Sequence, residues 1–528
     1  MYMRRVHTKR NGRIFEYSQL VTSIRVGTQV YKKVLYNLGR SDDPHSLATY
    51  IRTQKNLSSF LINKTAKFYA FPTAIYMLCT KDLEFPGIFA DIFTGLKITT
   101  DITLLTILMI IHRIIDPDSK LSLTRWYKNI LLPVVLPETL NVHTLYYTLD
   151  YLIEKKEDIE QRLFKHLKGK GLIDATVVFY DLTSSYFEGE DVEMAKFGYS
   201  RDHRPDCLQI TLGLVIDKHG LPVYHEVYEG NMADCKTVKG ILEKLKTTFH
   251  LSNIIFVADK GMLTPDNLQA LDEKKYQYIL SESIRNALSQ KTREELFLRK
   301  DTFTKCQGME ETLWYTTASD KEGKSIIVCY NQYTADKARQ TRDTKLKKLE
   351  TFIAETKKKH KNETGKKVIQ KVRDMIIAKL ITSHARKYFD AKEKETIEAL
   401  FLLSRDVITR EEYMDGMWII RSSTKDLTTG ELIKTYKDLK IIEASFRTIK
   451  DVIELRPIYH HKDNRVKGHV FICILAFLVT RLLEQKTGQT IKMLKEEYMN
   501  AVAIPTNEKH PESQPIILGG NTLLQAVR

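Results

Sequence analysis

Two apolar stretches of this chain run straight into an aspartate. "TVVFYDL" carries Val177, Val178, Phe179 and Tyr180 up to Asp181, and "NIIFVADKG" carries Ile254 to Ala258 up to Asp259. β-Branched and aromatic residues in runs of this length predict buried strands. Such strands lie centrally in a sheet, here side by side, each ending in its acid. An ionised carboxylate at that place is costly unless a hydrogen-bond network, an arginine or a metal ion compensates it. Taken singly, each aspartate fits a turn or a helix cap. As a pair at neighbouring strand ends they fit a divalent cation such as Mg²⁺, which takes one or two carboxylates and keeps its other positions for water and phosphate oxygens.

Charge decides which partner fits that chemistry. Lys and Arg number 82 against 66 Asp and Glu, a formal net charge of +16. This surplus favours a polyanion and says nothing of fold. The 528 residues suffice for several domains, and 43% hydrophobic with 28% charged residues is a globular composition, not a disordered one. Six scattered cysteines form no CxxC or Cys/His cluster, so reduced thiols and a cytoplasmic location are expected. The basic N-terminus has no apolar run after it, unlike a signal peptide. The longest apolar run, Val470 to Val479, is too short to span a bilayer and is expected to be a core helix.

Residues 1–45 read as a β-meander, because "RIFEYSQLVTSIRV" and "TQVYKKVLYNLG" alternate apolar and polar positions. Residues 46–170 read mainly as helix, including "DITLLTILMIIHRIIDPDSK", stopped at Pro117, and a segment bearing Arg125 and Trp126. From 171 to 282 the pattern is three strands, helix, strand, helix, strand, a mixed α/β sheet. "CLQITLGLVID" and "LPVYHEVYEG" form a hairpin in it, and Thr264 with Pro265 opens a helix. Asn231 and Asp234 organise a loop and helix cap. Residues 283–430 are less regular, with strand-like "TLWYTTAS", "KSIIVCYNQ" and "MWIIRSS" around a lysine-dense helical stretch. Those lysines suit either a solvated face or DNA-backbone contacts. Two strong helices follow in 431–485, and 486–528 reads as a tail.

The third acid lies on the first of those helices. Tyr436, Glu443 and Lys450 are spaced seven apart on one stripe, with Lys440 and Arg447 on the same face. Leu439, Ile442, Phe446 and Ile449 make the opposite side. The polar face suits a salt-bridged solvent surface, or a metal-binding glutamate flanked by cations for phosphates.

This set resembles the DDE transposases of bacterial insertion sequences, in the IS-four superfamily. Their third-acid helix carries Y-x2-R-x3-E-x6-K. Tyr436, Glu443 and Lys450 are in register, while Leu439 stands at the arginine, with Lys440 next to it. "FGYSRDHRPDCLQITLGLVID", "YEGNMADCKT", "VADKGMLT", "YMDGMWIIRSS" and "ELRPIYHHKDNRVKGHVFICILAFLV" resemble blocks of the group of insertion sequence sixteen-thirty-four relatives. The likeness is strong over about 175–485 and looser before it.

The resemblance implies an α/β fold with a ribonuclease H-like mixed-sheet catalytic core. That core is interrupted by a β-rich insertion at 283–430 and preceded by the β-meander and a mainly helical DNA-binding region. It implies Asp181, Asp259 and Glu443 as catalytic acids holding two Mg²⁺ ions, with Mn²⁺ as a substitute. The activity implied is nicking of double-stranded DNA at the terminal inverted repeats and joining of the freed 3′-OH to target DNA, in a homodimer at the bacterial nucleoid with no membrane. Tyr436, Lys440, Arg447 and Lys450 are the expected phosphate contacts. Arg201 and Arg204 in "GYSRDHRPD", Arg125 and the basic N-terminus are expected to hold DNA. Trp418 and Trp314 suit stacking on a base or core packing. Three other readings stay open: a ribonuclease H-like nuclease without strand transfer, a catalytically silent DNA-binding descendant, and a phosphohydrolase of small substrates.

Overall fold

The computed structural model describes residues 2–10, 13–26, 29–40, 70–96, 98, 100–130, 132, 134–187, 192–309, 311–361, 365–390, 396–397, 401–498, 502–504 and 516–518. Expectations for 41–69 and for most of 505–528 fall outside these residues. The chain divides into two compact units, one of residues 1–252 with 440–528 and the other of residues 253–439.

In the first unit, β1 (Tyr2–Arg10), β2 (Arg13–Val26) and β3 (Gln29–Arg40) form the expected antiparallel meander. Helices follow: α1 (Ala70–Met77), α2 (Phe85–Phe93), α3 (Ile102–Ile115), α4 (Lys120–Trp126), α5 (Val142–Glu154) and α6 (Lys156–Gly169). Asp101 caps α3 by accepting from Leu104 N, and Ser119 caps α4. Trp126 is buried against the His112 ring, so it serves the core, while Arg125 on the same helix is exposed.

Three antiparallel strands come next in the order β6 (Pro222–Glu229), β5 (Gln209–Asp217), β4 (Val177–Tyr186). β4 corrects one expectation. Asp181 does not end it; the strand runs five residues further, and Asp181 pairs with Leu214 in mid-strand. Thr183, Ser184 and Ser185 have small side chains that fit a pleated, buried surface, so the ladder continues through them. β5 is buried at all nine positions and its turn into β6 uses Gly220 at φ +82. α7 (Asp234–Thr247) closes this stretch.

The second unit opens with β7 (Ile255–Ala258), which ends where expected, just before Asp259. α8 (Pro265–Glu273), capped by Thr264, leads to β8 (Gln277–Glu282), which pairs parallel with β7. β9 (Thr304–Lys305), β10 (Trp314–Ser319) and β11 (Ser325–Tyr330) precede α9 (Gln332–Lys359), α10 (Lys366–Thr382) and α11 (Arg405–Glu412). β12 (Met417–Ser422) and α12 (Thr429–Lys437) complete the unit. Its described strands form a mixed sheet in the order β7-β8-β12-β11-β10-β9. The segment 283–430 therefore adds strands to a sheet, but it is not β-rich. α9 and α10 alone hold more of it, around a small core of Leu346, Leu349, Ile353, Val372, Ile376 and Leu380. The lysines of α9 lie largely on its exposed side.

The chain returns to the first unit with α13 (Lys440–Arg447), a five-residue π turn at Thr448–Val452, α14 (Asp463–Thr487) and α15 (Ile491–Tyr498). α14 is long and apolar enough to cross a membrane by length and composition, yet 89% of its apolar window is buried in the protein. It packs against α3, α5 and β6 and is the core helix of the unit. The expected tail also holds structure: Ile491 and Leu494 of α15 are buried, and β13 (Val502–Ile504) pairs antiparallel with β14 (Ile516–Leu518).

Candidate active site

The expected stripe of Tyr436, Glu443 and Lys450 is not one helix. α12 starts at a capping box in which Thr428 and Glu431 satisfy each other's backbone N–H groups. It stops at Lys437, where Asp438 caps it and Leu439 N turns back to Tyr436 O. α13 then starts afresh at Lys440, and the π turn changes the register again before Lys450. Tyr436 thus belongs to the second unit, and Glu443 and Lys450 to the first.

In the first unit, α13 packs against β4. Ile442 and Phe446 are buried, while Lys440, Glu443 and Arg447 share the exposed face. Asp181, half-buried on β4, accepts from its own neighbour's backbone, Leu182 N, at 2.7 Å. The unit thus holds one acid on β4 and another on a helix packed on that strand. Leu439, at the arginine position of the signature, is 9% exposed, whereas Lys440 is exposed.

In the second unit, Asp259 follows β7 and Tyr436 Oη donates to its Oδ1 at 3.2 Å. Trp418 of β12 lies against Tyr436, centroids 5.2 Å apart, with Lys437 Nζ 5.4 Å from the indole centroid. Trp418 is therefore a half-buried partner of the residue that touches Asp259, while Trp314 packs against Tyr330.

The "FGYSRDHRPD" loop is fastened to the first unit by a tight glycine contact. A Cβ on Gly198 would meet Gly230 O at 2.0 Å, and buried Gln209 donates to Tyr199 O and Gly230 O. Arg201 N donates to Ser184 Oγ of β4 at 2.8 Å, and the Arg201 side chain pairs with Asp234 at 2.6 Å. Asp234 therefore does not cap α7, whose N-cap is Ala233. Arg204 is held by Asp206 and lies over the Tyr186 ring. Lys450 Nζ donates to Asp202 Oδ1 at 2.8 Å. Burial pushes the Lys450 ammonium below its ordinary value, Arg456 and Arg201 add to this, and Asp202 opposes it. Asp202, Arg456 and Tyr186 went unnoticed in the sequence. They stand inside or beside the motif blocks, but nothing in spacing separates them from neighbouring charges.

Among the described residues, no three His, Cys, Asp or Glu side chains are gathered to hold a metal ion. The donor chemistry of Asp181, Asp259 and Glu443, carboxylate oxygens only, nevertheless fits a hard divalent cation.

The chain belongs to the transposases: the family described as Transposase DDE domain matches residues 166–479, more than half of it. Within that class it is of the IS1634 type, since the IS1634 family transposase N-terminal domain matches residues 3–60. No curated protein matches the chain. Among solved structures, a piggyBac transposase synaptic complex with hairpin DNA is similar at 9% identity and TM-score 0.36, covering 87% of this chain and 82% of that one. A Mos1 paired-end complex with the left transposon end gives 14% and 0.15, over 34% and 58%. A pre-cleavage Mos1 transpososome gives 11% and 0.16, over 40% and 77%. Structural likenesses this low carry no weight for the function of this chain.

Proposed function

We propose that this transposase binds the ends of its element as double-stranded DNA, nicks them, and joins the freed 3′-OH to target DNA. In this reading Asp181, Asp259 and Glu443 form one site on a ribonuclease H-like core. The observation that carries it is α13 packed on β4, which puts Glu443 on an exposed helix face over the strand of Asp181, inside the matched DDE domain. Divalent ions, two of Mg²⁺ or Mn²⁺, would be held by the three acids; when bound they supply Lewis-acid polarisation of the scissile phosphate and a lowered pKa for the attacking oxygen.

The chain's own groups do the rest. Tyr436 orients Asp259 through its hydroxyl. Lys440 and Arg447, exposed on either side of Glu443, hold the DNA backbone beside the cut, and Lys440 stands in for the arginine that Leu439 replaces. Arg125 and the basic N-terminal strands add backbone contacts that give affinity without sequence information. A homodimer lets two ends be cut together, and the reduced cysteines suit a cytoplasmic, nucleoid-associated enzyme.

The test is to incubate the protein with end-labelled transposon-end DNA, target plasmid and Mg²⁺. Nicked ends that become covalently joined to plasmid support transposition. Nicks without joined product leave a nuclease, and binding without nicks leaves a silent DNA-binding descendant.

A further inference from the structure

The two acids of the first unit are held in different ways. Asp181 sits in the middle of a ladder, paired with Leu214. Glu443 rides on α13, whose eight residues are too few to keep a direction unaided. Beyond α13 the π turn closes with Ile453 N donating to Thr448 O at 3.0 Å, and the chain leaves it through Glu454 at φ +51. A left-handed backbone at a residue with a Cβ persists only where its surroundings fix it. Two buried side chains do so here. Arg113, in the last turn of α3, donates from NH1 to Glu454 O at 2.9 Å and from NH2 to Asp118 O, between α3 and α4, at 2.6 Å. His469 of α14 donates from Nε2 to Leu455 O at 3.0 Å. Arg113 and His469 are each 2% exposed, and Ile453 and Leu455 are fully buried. Lys495 of α15 lies within electrostatic reach of Glu454 and Asp116, so a third helix closes on the same bend.

A buried guanidinium is costly to keep for packing alone. The hydrogen bonds of Arg113 among the described residues go to backbone carbonyls, and they join Glu454, just past the π turn, to Asp118 in the helical region. An apolar side chain of the same length would fill the space but leave Glu454 O without this donor. The π turn makes that pin matter. It holds one more residue in its hydrogen-bonded ring than an α-helix does, and relaxing by one residue rotates the helix before it by about 100°. We propose that Arg113 is a positioning residue for Glu443: it pins Glu454, keeps the π turn in register, and so sets the direction in which α13 presents the Glu443 carboxylate. His469 pins Leu455 beside it, and both act through the backbone. The inference rests on the reading of Glu443 as a catalytic acid and adds Arg113 and His469 to it as residues remote from the chemistry.

The test compares the full-length wild type with Arg113→Met, Arg113→Lys and His469→Gln. Glu160→Gln, which breaks a buried ionic group beneath β6 instead, serves as the control for lost stability. Hydrogen–deuterium exchange is followed on the metal-free proteins, and Mn²⁺ is titrated by calorimetry into each protein bound to transposon-end DNA. Arg113→Met should exchange the amides of 440–455 about tenfold faster while β4 and β5 keep wild-type protection. Its Mn²⁺ affinity and the Mn²⁺ needed for half-maximal nicking should worsen about tenfold, as for other residues that orient a metal ligand, with end binding unchanged. Arg113→Lys, which reaches one carbonyl at a time, should fall between wild type and Arg113→Met. His469→Gln keeps an N–H for Leu455 O and should stay near wild type. Faster exchange spread evenly over the first unit, or an equal loss of Mn²⁺ affinity in Glu160→Gln, makes Arg113 a merely structural residue and overturns the proposal. Wild-type exchange at 440–455 in a folded Arg113→Met overturns it as well; should that variant not fold, the same result in Arg113→Lys does so. A wild type that binds the DNA but takes up no Mn²⁺ sinks the reading of Glu443 as a metal-holding acid, and the exchange data still decide whether Arg113 holds α13.

Discussion

At the scale of single residues, the buried ionic group beneath β6 tests the folded state. Glu160 is 7% exposed and lies between Lys156 Nζ at 2.9 Å and the His225 ring at 2.6 Å, while Lys156 also donates to His225 O at 2.7 Å. Burial pushes the Glu160 carboxyl up, but Lys156 and His225 outweigh it and hold it below its ordinary value. Removing one member leaves the other charge buried and uncompensated, which costs about 3–5 kcal/mol. Glu160→Gln is therefore expected to lower Tm and the denaturation midpoint by an amount of that order, and a substitution that unfolds at the wild-type midpoint contradicts it. At this scale the sequence was partly legible. Glu443, Lys440 and Arg447 share an exposed helical face as their spacing implied. The ion pairs Asp202–Lys450 and Arg201–Asp234 were not, because each joins residues far apart in the chain or on separate loops.

At the scale of elements, a break separates α12 from α13. Periodicity made one helix of 435–450, since the apolar positions keep their spacing across Asp438 and Leu439. Capping decides otherwise: Asp438 ends α12, and Leu439 turns into the core at 9% exposure. Restoring the signature arginine there would bury an unpaired guanidinium, so Leu439→Arg is expected to lower Tm without raising end cleavage. Lys440→Ala is expected to leave stability within about 0.5 kcal/mol of wild type, as at other exposed positions, while weakening end binding and flattening its salt dependence by about one contact. Thermal melts and salt-titrated binding on the two variants decide between these positions. The same limit hid the full length of β4, since an acid in mid-strand looks like a strand end when only hydrophobicity is read. The hairpin β5–β6, the cap at Thr264 and the helix at α7 were legible because turn and capping residues carry local signals.

At the scale of the whole molecule, stability should fall in mild acid. His112, His225, His460 and His469 are buried; burial, with nearby cations, holds His112 and His460 down to about 3 and lowers the other two. The unfolded chain takes up protons on these rings below about pH 6.5 while the folded protein does not. The stabilisation is therefore complete above about 6.5 and declines as pH falls below that, for His112 and His460 toward about 3 at ~1.4 kcal/mol per pH unit for each of these two rings. Tm should hold from about pH 7.5 to about pH 6.5 and drop from there to about pH 5.5, and a profile flat below about pH 6.5 contradicts the burial of neutral rings. Fold class and element order were largely legible at this scale. The division at residues 252/253 and 439/440 was not, because it follows contacts between segments remote in sequence. The central claim is that Asp181, Asp259 and Glu443 act as one site on DNA. The most direct measurement is cleavage of labelled transposon-end DNA in Mg²⁺ by Asp181→Asn, Asp259→Asn and Glu443→Gln, each first shown to fold and to bind the same DNA. Loss of nicking and joining in all three, with binding retained, is the predicted result. Cleavage at wild-type rate by any one of them contradicts the account.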